Sequence, residues 1–279
     1  MSQADLTFIQ NCKQILQAGV SDAGQAVRPR WEDSTPAHTV RVFGLVNRYD
    51  LSEEFPALTL RRLSFKNSIK EILWIWQQKS NNVNELDTRI WDAWADETGS
   101  IGKAYGYQLG IKHKYPEGEF DQVDRALYDL KHNRSSRRIL TNIYNHEDLH
   151  AMGLYPCAYS LTLGVTNGRL NAILNQRSQD FLAANNWNVC QYSVLVHMFA
   201  RASGLEAGEL IHVIADAHIY DRHIPIIEEL IQKEPRPAPA LKINPDVIDF
   251  YKFTVDDFTL EDYKPHPSKK YSGQIPVAI

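Results

Sequence analysis

Several things that would point to an exported or membrane-borne protein are missing here. The 279 residues hold only three cysteines, Cys12, Cys157 and Cys190. An odd, sparse set fits free thiols in a reducing compartment better than a disulfide framework. No apolar run approaches the ~20 residues needed to span a bilayer. The first residues, MSQADLTFIQ, lack the charged-then-apolar layout of a secretion signal. Together these absences predict a cytoplasmic protein. Positive charge is also short, with 30 Lys and Arg against 34 Asp and Glu and a net charge of -4. That balance argues against a nucleic-acid partner, whose electrostatic footprint is basic. It leaves room for a small anion held by a few clustered arginines. The stretch Gly99 to Gly106 (GSIGKAYG) lacks the spacing of a phosphate-binding P-loop, so no nucleoside triphosphate is indicated. Internal repeats and low-complexity segments are lacking too.

What is present suffices for a large core. Hydrophobic residues make up 43% of the chain, and a chain of this length buries roughly 75% of its unfolded surface without needing disulfides. Helical spacing of Leu6, Ile9, Cys12, Ile15 and Leu16 predicts a helix over Asp5 to Ala18, stopped by Gly19. Thr39 to Arg48 reads as a strand with Val40, Val42 and Val46 on one face. Phe65 to Lys79 reads as a helix apolar almost all round, which must be deeply buried. Val123, Ala126, Leu127 and Leu130 mark an ordinary amphipathic helix. Beyond Ile139 strands dominate: Tyr159, Leu161, Leu163 and Val165 alternate, Asn167-Gly168 supplies a hairpin turn, and Leu170 to Gln176 returns. Trp187 to Ser203 is helical, Leu210 to Ala217 a strand and Pro225 to Lys233 a helix. EPRPAPA is a surface connection, not a domain boundary. The expected architecture is α+β, one domain over residues 1–279, with a large mixed sheet packed against a buried hydrophobic helix.

Each motif has a plain structural alternative. His146-Glu147-Asp148-Leu149-His150 fits H-E-x-x-H, in which two histidines one helical turn apart hold zinc. Its context argues for a solvated turn instead, since Asp148 adds an acid, Gly153 and Pro156 follow closely, and no third ligand is evident. His218 and His223, beside Asp216 and Asp221, are a weaker metal suggestion. Ser135-Ser136-Arg137-Arg138 and Arg177-Ser178 flank one hairpin, and guanidinium forks beside hydroxyls suit a phosphate. Cys157 sits just before that hairpin. Positions 158 and 177 are symmetric about the turn, which places an arginine next to Cys157 in a hairpin whose register can slip by one. A neighbouring cation makes a thiol nucleophilic, whereas a lone core cysteine is inert.

Over nearly its whole length the sequence resembles the folate-dependent thymidylate synthase family. The resemblance rests on FPALTLRR with SIKEILWIWQ, RIWDAWADETGSIGKAYGYQ, DQVDRALYDLKHNRSSRRIL, LYPCAY, NQRSQD, the pair Asn188 and Tyr192, DAHIYDRH and the terminal PVAI, in that order. It implies reductive methylation of dUMP to dTMP, with methylenetetrahydrofolate as co-substrate and no metal. It also implies a homodimer, and it makes HEDLH the connection leading to the catalytic cysteine. By resemblance, Cys157 adds to carbon 6 of the pyrimidine, Glu71 relays protons through ordered water and Tyr105 lies near the carbon 5 proton. Asn188 reads the uracil edge. Arg177, Ser178 and Arg28 hold the phosphate, with Arg30 the competing assignment for the last. Arg137 and Arg138 reach the partner's phosphate across the interface. His218 and Tyr220 match ligands of the sugar hydroxyl, Trp91 and Asp180 match folate contacts, and Ile279 matches the residue that closes the site.

The sequence also departs from the family. The usual L-G-x-P-F-N before the uracil-reading amide is replaced by Leu182 and AANNWN, the usual His after the cysteine is Ala158, and the usual Gly before Asp216 is Ala215. None of these removes a catalytic group. Two other functions are weighed: dUMP or dCMP hydroxymethylation, which Asn188, Trp91 and PVAI disfavour, and a non-enzymatic RNA-binding or regulatory homologue, which intact Cys157, Glu71 and Asn188 disfavour.

Overall fold

The computed structural model describes residues 1–267 and 275–279. Helix α1 spans Gln3–Ala18 and is capped by Ser2, whose Oγ accepts the Asp5 N–H at 3.2 Å. It buries Ala4, Phe8, Cys12 and Ile15, the face defined by its 3.6-residue period; Leu6 falls outside that stripe and is exposed. Strands β1 (Val20–Ser21) and β2 (Thr39–Asp50) follow. Helix α2 runs Phe65–Trp76, three residues shorter than the apolar pattern, because Lys79 turns into the left-handed region at φ 53°. Its ammonium donates to buried Asp121 at 2.6 Å. Next come helix α3 (Gly106–Gly110), the small hairpin of β3 (His113–Tyr115) and β4 (Gly118–Phe120), and helix α4 (Gln122–His132). The second half holds β5 (Leu140–Asn142), β6 (Ala158–Thr166), β7 (Arg169–Asp180), helix α5 (Asn185–Ala202), β8 (Glu206–Tyr220) and helix α6 (Ile224–Leu230). An antiparallel pair, β9 (Ala240–Ile243) with β10 (Phe258–Glu261), completes the strands and α-helices among the described residues.

Six strands form one sheet in the order β1-β2-β8-β7-β6-β5. Every neighbouring pair is antiparallel except β7 with β8. A parallel pair needs a long crossover, and α5 supplies it. That explains why α5 is apolar nearly all round: Val189, Cys190, Val194, Leu195, Val196, Met198 and Phe199 are all buried. Helix α5 lies on the sheet, and α2 packs onto α5. Trp76 of α2 meets Tyr192 and Phe199 of α5 edge-on, with ring centroids 6.1 and 6.0 Å apart. The expected mixed sheet is present; α5 packs against β7 and β8, α1 packs against β2 and β8, and α2 reaches the sheet through α5.

Two local irregularities redirect side chains in this sheet. Gly44 takes φ 85°, and the paired β2 and β8 both change face there. Val46 is therefore exposed, on the opposite face from half-buried Val40 and Val42. Asn167 and Gly168, at φ 52° and 77°, make the expected tight turn. Near the far end of that hairpin the register shifts between Ala158 and Ser160. The extra residue is a bulge, a device that re-aims side chains beside functional sites.

Candidate active site

Because β7 and β8 run parallel, their C-terminal ends lie together, and β6, antiparallel to β7, begins at the same end. Ser178 is paired with Asp216 and Asp180 with His218. Ligands in sheets with parallel strands bind outside such ends. The bulge moves the hairpin by one residue, so Cys157, not Ala158, faces Arg177: the Arg177 N–H donates to the Cys157 carbonyl at 2.9 Å. The Arg177 guanidinium donates to the carbonyls of Pro156 (2.9 Å) and Tyr155 (2.7 Å), and its Nη2 lies 3.8 Å from Cys157 Sγ. The Cys157 N–H donates to the Tyr105 hydroxyl at 3.2 Å. Tyr105 holds a strained backbone, φ 47° and ψ -107°, in a buried position. Burial pushes the Cys157 thiol up, and Arg177, Tyr105 and Arg28 only partly offset it. The expected fall in thiol pKa is therefore outweighed by desolvation.

Asn188 stands in the first turn of α5. The turn leading to it is tied by Asp180, whose Oδ1 accepts the N–H groups of Leu182 (2.9 Å) and Ala183 (3.0 Å). The Asn188 Oδ1 accepts from Gln176 at 3.2 Å and Gln179 at 3.4 Å, and its Nδ2 donates to Gln191 Oε1 at 3.2 Å. Gln176 is itself fixed, since its Oε1 lies 2.8 Å from His212 Nε2. Burial lowers His212 to about 3, so the ring stays neutral and Nε2 carries the proton that Gln176 accepts. A chain of amides thus sets which edge of Asn188 donates and which accepts.

Glu71 is 7% exposed on α2, between Ile69, Ile72, Leu73 and Trp74. Each fully buried aliphatic of that face contributes roughly 1.5–3 kcal/mol, which outweighs the cost of one carboxyl kept protonated. Its Oε2 accepts the Trp187 indole N–H at 2.7 Å. Burial pushes Glu71 up to about 7, and Trp187, Gln191 and Trp91 pull against that rise. Between its ordinary 4.5 and about 7 the folded chain keeps a proton that the unfolded chain releases. Stability therefore falls as pH rises through that window. Glu71→Gln, neutral throughout, is expected to be more stable than the parent above pH 7 by on the order of 3 kcal/mol, and to lose that advantage near pH 4.5. Urea midpoints at the two pH values check this. A gap independent of pH would contradict it.

Apart from Arg137 and Arg138, which precede Leu140 where β5 pairs with the middle of β6, the remaining residues fall around the same sheet end. His218 Nδ1 lies 2.8 Å from Asp216, and the His218 and Tyr220 rings are 5.1 Å apart. Buried His223 lies 3.5 Å from Asp180 and 2.7 Å from the Pro276 carbonyl, so it bridges β7 to the C-terminal strap. Burial works to raise Asp180, but His223, His218 and the Ala183 N–H outweigh it and hold the carboxyl below its usual range. The Ile279 N–H donates to the Arg30 carbonyl at 2.9 Å, and the Arg30 N–H donates back at 2.8 Å. Arg30 is thus tied to the terminus through its backbone, while Arg28 acts electrostatically on both Cys157 and Tyr220. Trp91 stacks edge-on to Tyr105 at 4.9 Å. Arg137 and Arg138 are exposed beyond α4, before β5.

The H-E-x-x-H match lies on a turn that runs into a single 3-10 turn (Leu149–Ala151) rather than on an α-helix. His146, Glu147 and His150 are exposed, and Asp148 is held by Lys103 at 2.7 Å and Gln108 at 2.9 Å. His218 and His223 serve different acids, and Asp221 accepts the Trp31 indole N–H at 3.0 Å. Among the described residues no group of three His, Cys, Asp or Glu is placed to hold a metal ion. No helix among them is long and apolar enough to cross a membrane. Sequence inspection missed the parts played by Gln176, Gln191, His212 and Trp187, and it took His223 for a weak metal suggestion, whereas His223 lies between Asp180 and the Pro276 carbonyl. Only Trp187 carried a signal, as a departure from the family pattern beside Asn188.

A family model described as thymidylate synthase matches residues 6–275. Thymidylate synthases of Bacillus subtilis subsp. natto and Bacillus phage phi3T are 46% and 47% identical over 269 residues, covering 95% of this chain and 96% of theirs. The solved structure of thermostable thymidylate synthase A from Bacillus subtilis superposes with a TM-score of 0.94 at 43% identity, covering 99% of this chain and 100% of that one. The chain therefore belongs to the thymidylate synthase family and is an enzyme that methylates dUMP.

Proposed function

We propose that Cys157, Glu71, Tyr105 and Asn188 carry the chemistry of dUMP methylation in this chain, with methylenetetrahydrofolate as the second substrate. The observation that supports this most is the Cys157 thiol facing the anchored Arg177 guanidinium at 3.8 Å. Carbon 5 of uracil is not nucleophilic. The Cys157 thiolate forms a bond to carbon 6, the ring electrons move into an enolate, and carbon 5 becomes able to attack an electrophile. Asn188 donates from Nδ2 to the ring carbonyl and accepts the ring N–H at Oδ1, a pattern opposite to the one cytosine needs. Glu71, poised near neutrality, exchanges protons at its Oε2 through ordered water, and Tyr105 stands by the proton that leaves carbon 5. Arg177, Ser178 and Arg28 hold the phosphate, and His218 with Tyr220 holds the sugar hydroxyl. Expulsion of Cys157 from carbon 6 frees the product.

The folate, when bound, supplies the one-carbon unit and then the hydride, leaving as dihydrofolate. The residues present fit such a ring. Trp91 and Tyr105, set edge-on at 4.9 Å, offer an aromatic corner, and Trp91 Nε1 is buried with no well-aligned acceptor among the described residues. Asp180 is held ionised for ring donors, and Ile279, whose N–H is tied to the Arg30 carbonyl, closes the site. No step requires a metal ion. Residues 1–279 act as one catalytic domain in the cytoplasm.

The active form is a twofold dimer, in which Arg137 and Arg138 of the partner subunit complete the phosphate grip. The outer face of the sheet supports this, since Phe43 (88% exposed), Val46, Leu140 and Ile173 lie uncovered there. Sedimentation is expected to give twice the 32.0 kDa chain mass; an active monomer at assay concentration would contradict it. Function itself is tested by incubating the protein with dUMP and methylenetetrahydrofolate and identifying both products. Formation of dTMP with dihydrofolate supports methylation. Hydroxymethyl-dUMP with tetrahydrofolate would overturn it.

A further inference from the structure

We propose that Trp187 is a positioning residue for Glu71: its indole N–H locks the carboxylate across the α2–α5 interface and favours the ionised form. This role rests on Glu71 being the proton-relaying acid. Trp187 is the third residue of α5, and its Nε1 lies 2.7 Å from Glu71 Oε2, a length typical of a hydrogen bond to a charged acceptor. The position falls within AANNWN, where the family's usual pattern has phenylalanine, a ring of similar bulk with no donor.

The next residue is Asn188, so one helical turn carries both the group that reads the base and the group that holds the acid. A shift of that turn moves both together. Among the described residues the groups that face Glu71 are neutral: Trp187 and Gln191 from α5, Trp91 from the segment before α3, and the phenols of Tyr105 and Tyr192. No cation is among them, so hydrogen bonding is what opposes burial at this carboxyl. Loss of one donor at 2.7 Å should then show directly in the proton-transfer step.

The test is the pH profile of kcat/KM in Trp187→Phe, which restores the family's usual residue and keeps the ring. The limb governed by Glu71 is expected to move to higher pH by about one unit, with dUMP affinity within twofold of the parent. A purely structural role predicts lower thermal stability and an unmoved profile. A profile superimposable on the parent's would overturn the proposal. Glu71→Gln is run beside it: loss of turnover supports Glu71 as the acid, whereas parental turnover would remove that role whatever the Trp187 variant did.

Discussion

Cys157→Ser is expected to lower turnover by at least ~10⁴-fold while leaving dUMP binding intact, in the range that loss of a covalent nucleophile costs other enzymes. Thiolate formation at Cys157 is already opposed by burial and only partly assisted by Arg177 and Arg28. A serine hydroxyl at that point is far harder to ionise, and no alkoxide is available at neutral pH. The phosphate grip is unchanged, because Arg177 is anchored to the carbonyls of Tyr155 and Pro156 and not to the sulfur alone. Single-turnover kinetics with calorimetric dUMP titration separates the two effects. Turnover within 10²-fold of the parent would remove Cys157 from the nucleophile role.

The second large effect is on specificity. A site that pairs buried hydrogen-bonding groups with its ligand discriminates by ~10⁴-fold or more, because the wrong ligand leaves those groups unpaired. In this chain the Asn188 amide is oriented by Gln176 and Gln179 on its acceptor side and by Gln191 on its donor side. Asn188→Asp leaves the acceptor side unchanged and sets an oxygen against the Gln191 Oε1 acceptor. That contact favours uptake of a proton, after which the acid can re-pair with cytosine's amino group while uracil's carbonyl loses its donor. The preference for dUMP over dCMP is expected to fall by ~10³-fold or more in kcat/KM. A variant that keeps the parent's preference would assign base reading to another residue.

Much of this architecture is visible in local patterns. Asn167-Gly168 fixed the hairpin because both residues tolerate positive φ, and the order of short motifs from FPALTLRR to PVAI was specific enough to name a family. Counting from the turn, however, set Ala158 opposite Arg177, and the bulge before Ser160 moved Cys157 there instead. A bulge adds one residue to one strand and leaves no compositional mark in AYSLTL. Gly44 did carry a mark, since an isolated glycine inside a strand signals a bulge or kink, and it explains the exposed Val46. The second layer of the site was hidden for a different reason. His212 and Gln176 are 36 residues apart in sequence, and Trp187 and Glu71 are 116 apart. A lone polar residue on an apolar strand or helix shows its purpose only once its partner is in place.

The central claim is that a covalent bond from Cys157 to the pyrimidine opens the reaction. The direct measurement is to quench the protein with acid during turnover of dUMP and methylenetetrahydrofolate, digest it, and weigh the peptide containing Cys157. A nucleotide-bearing peptide, absent without dUMP, is the predicted result. Full turnover with an unmodified Cys157 peptide, or with the nucleotide on another residue, would contradict it.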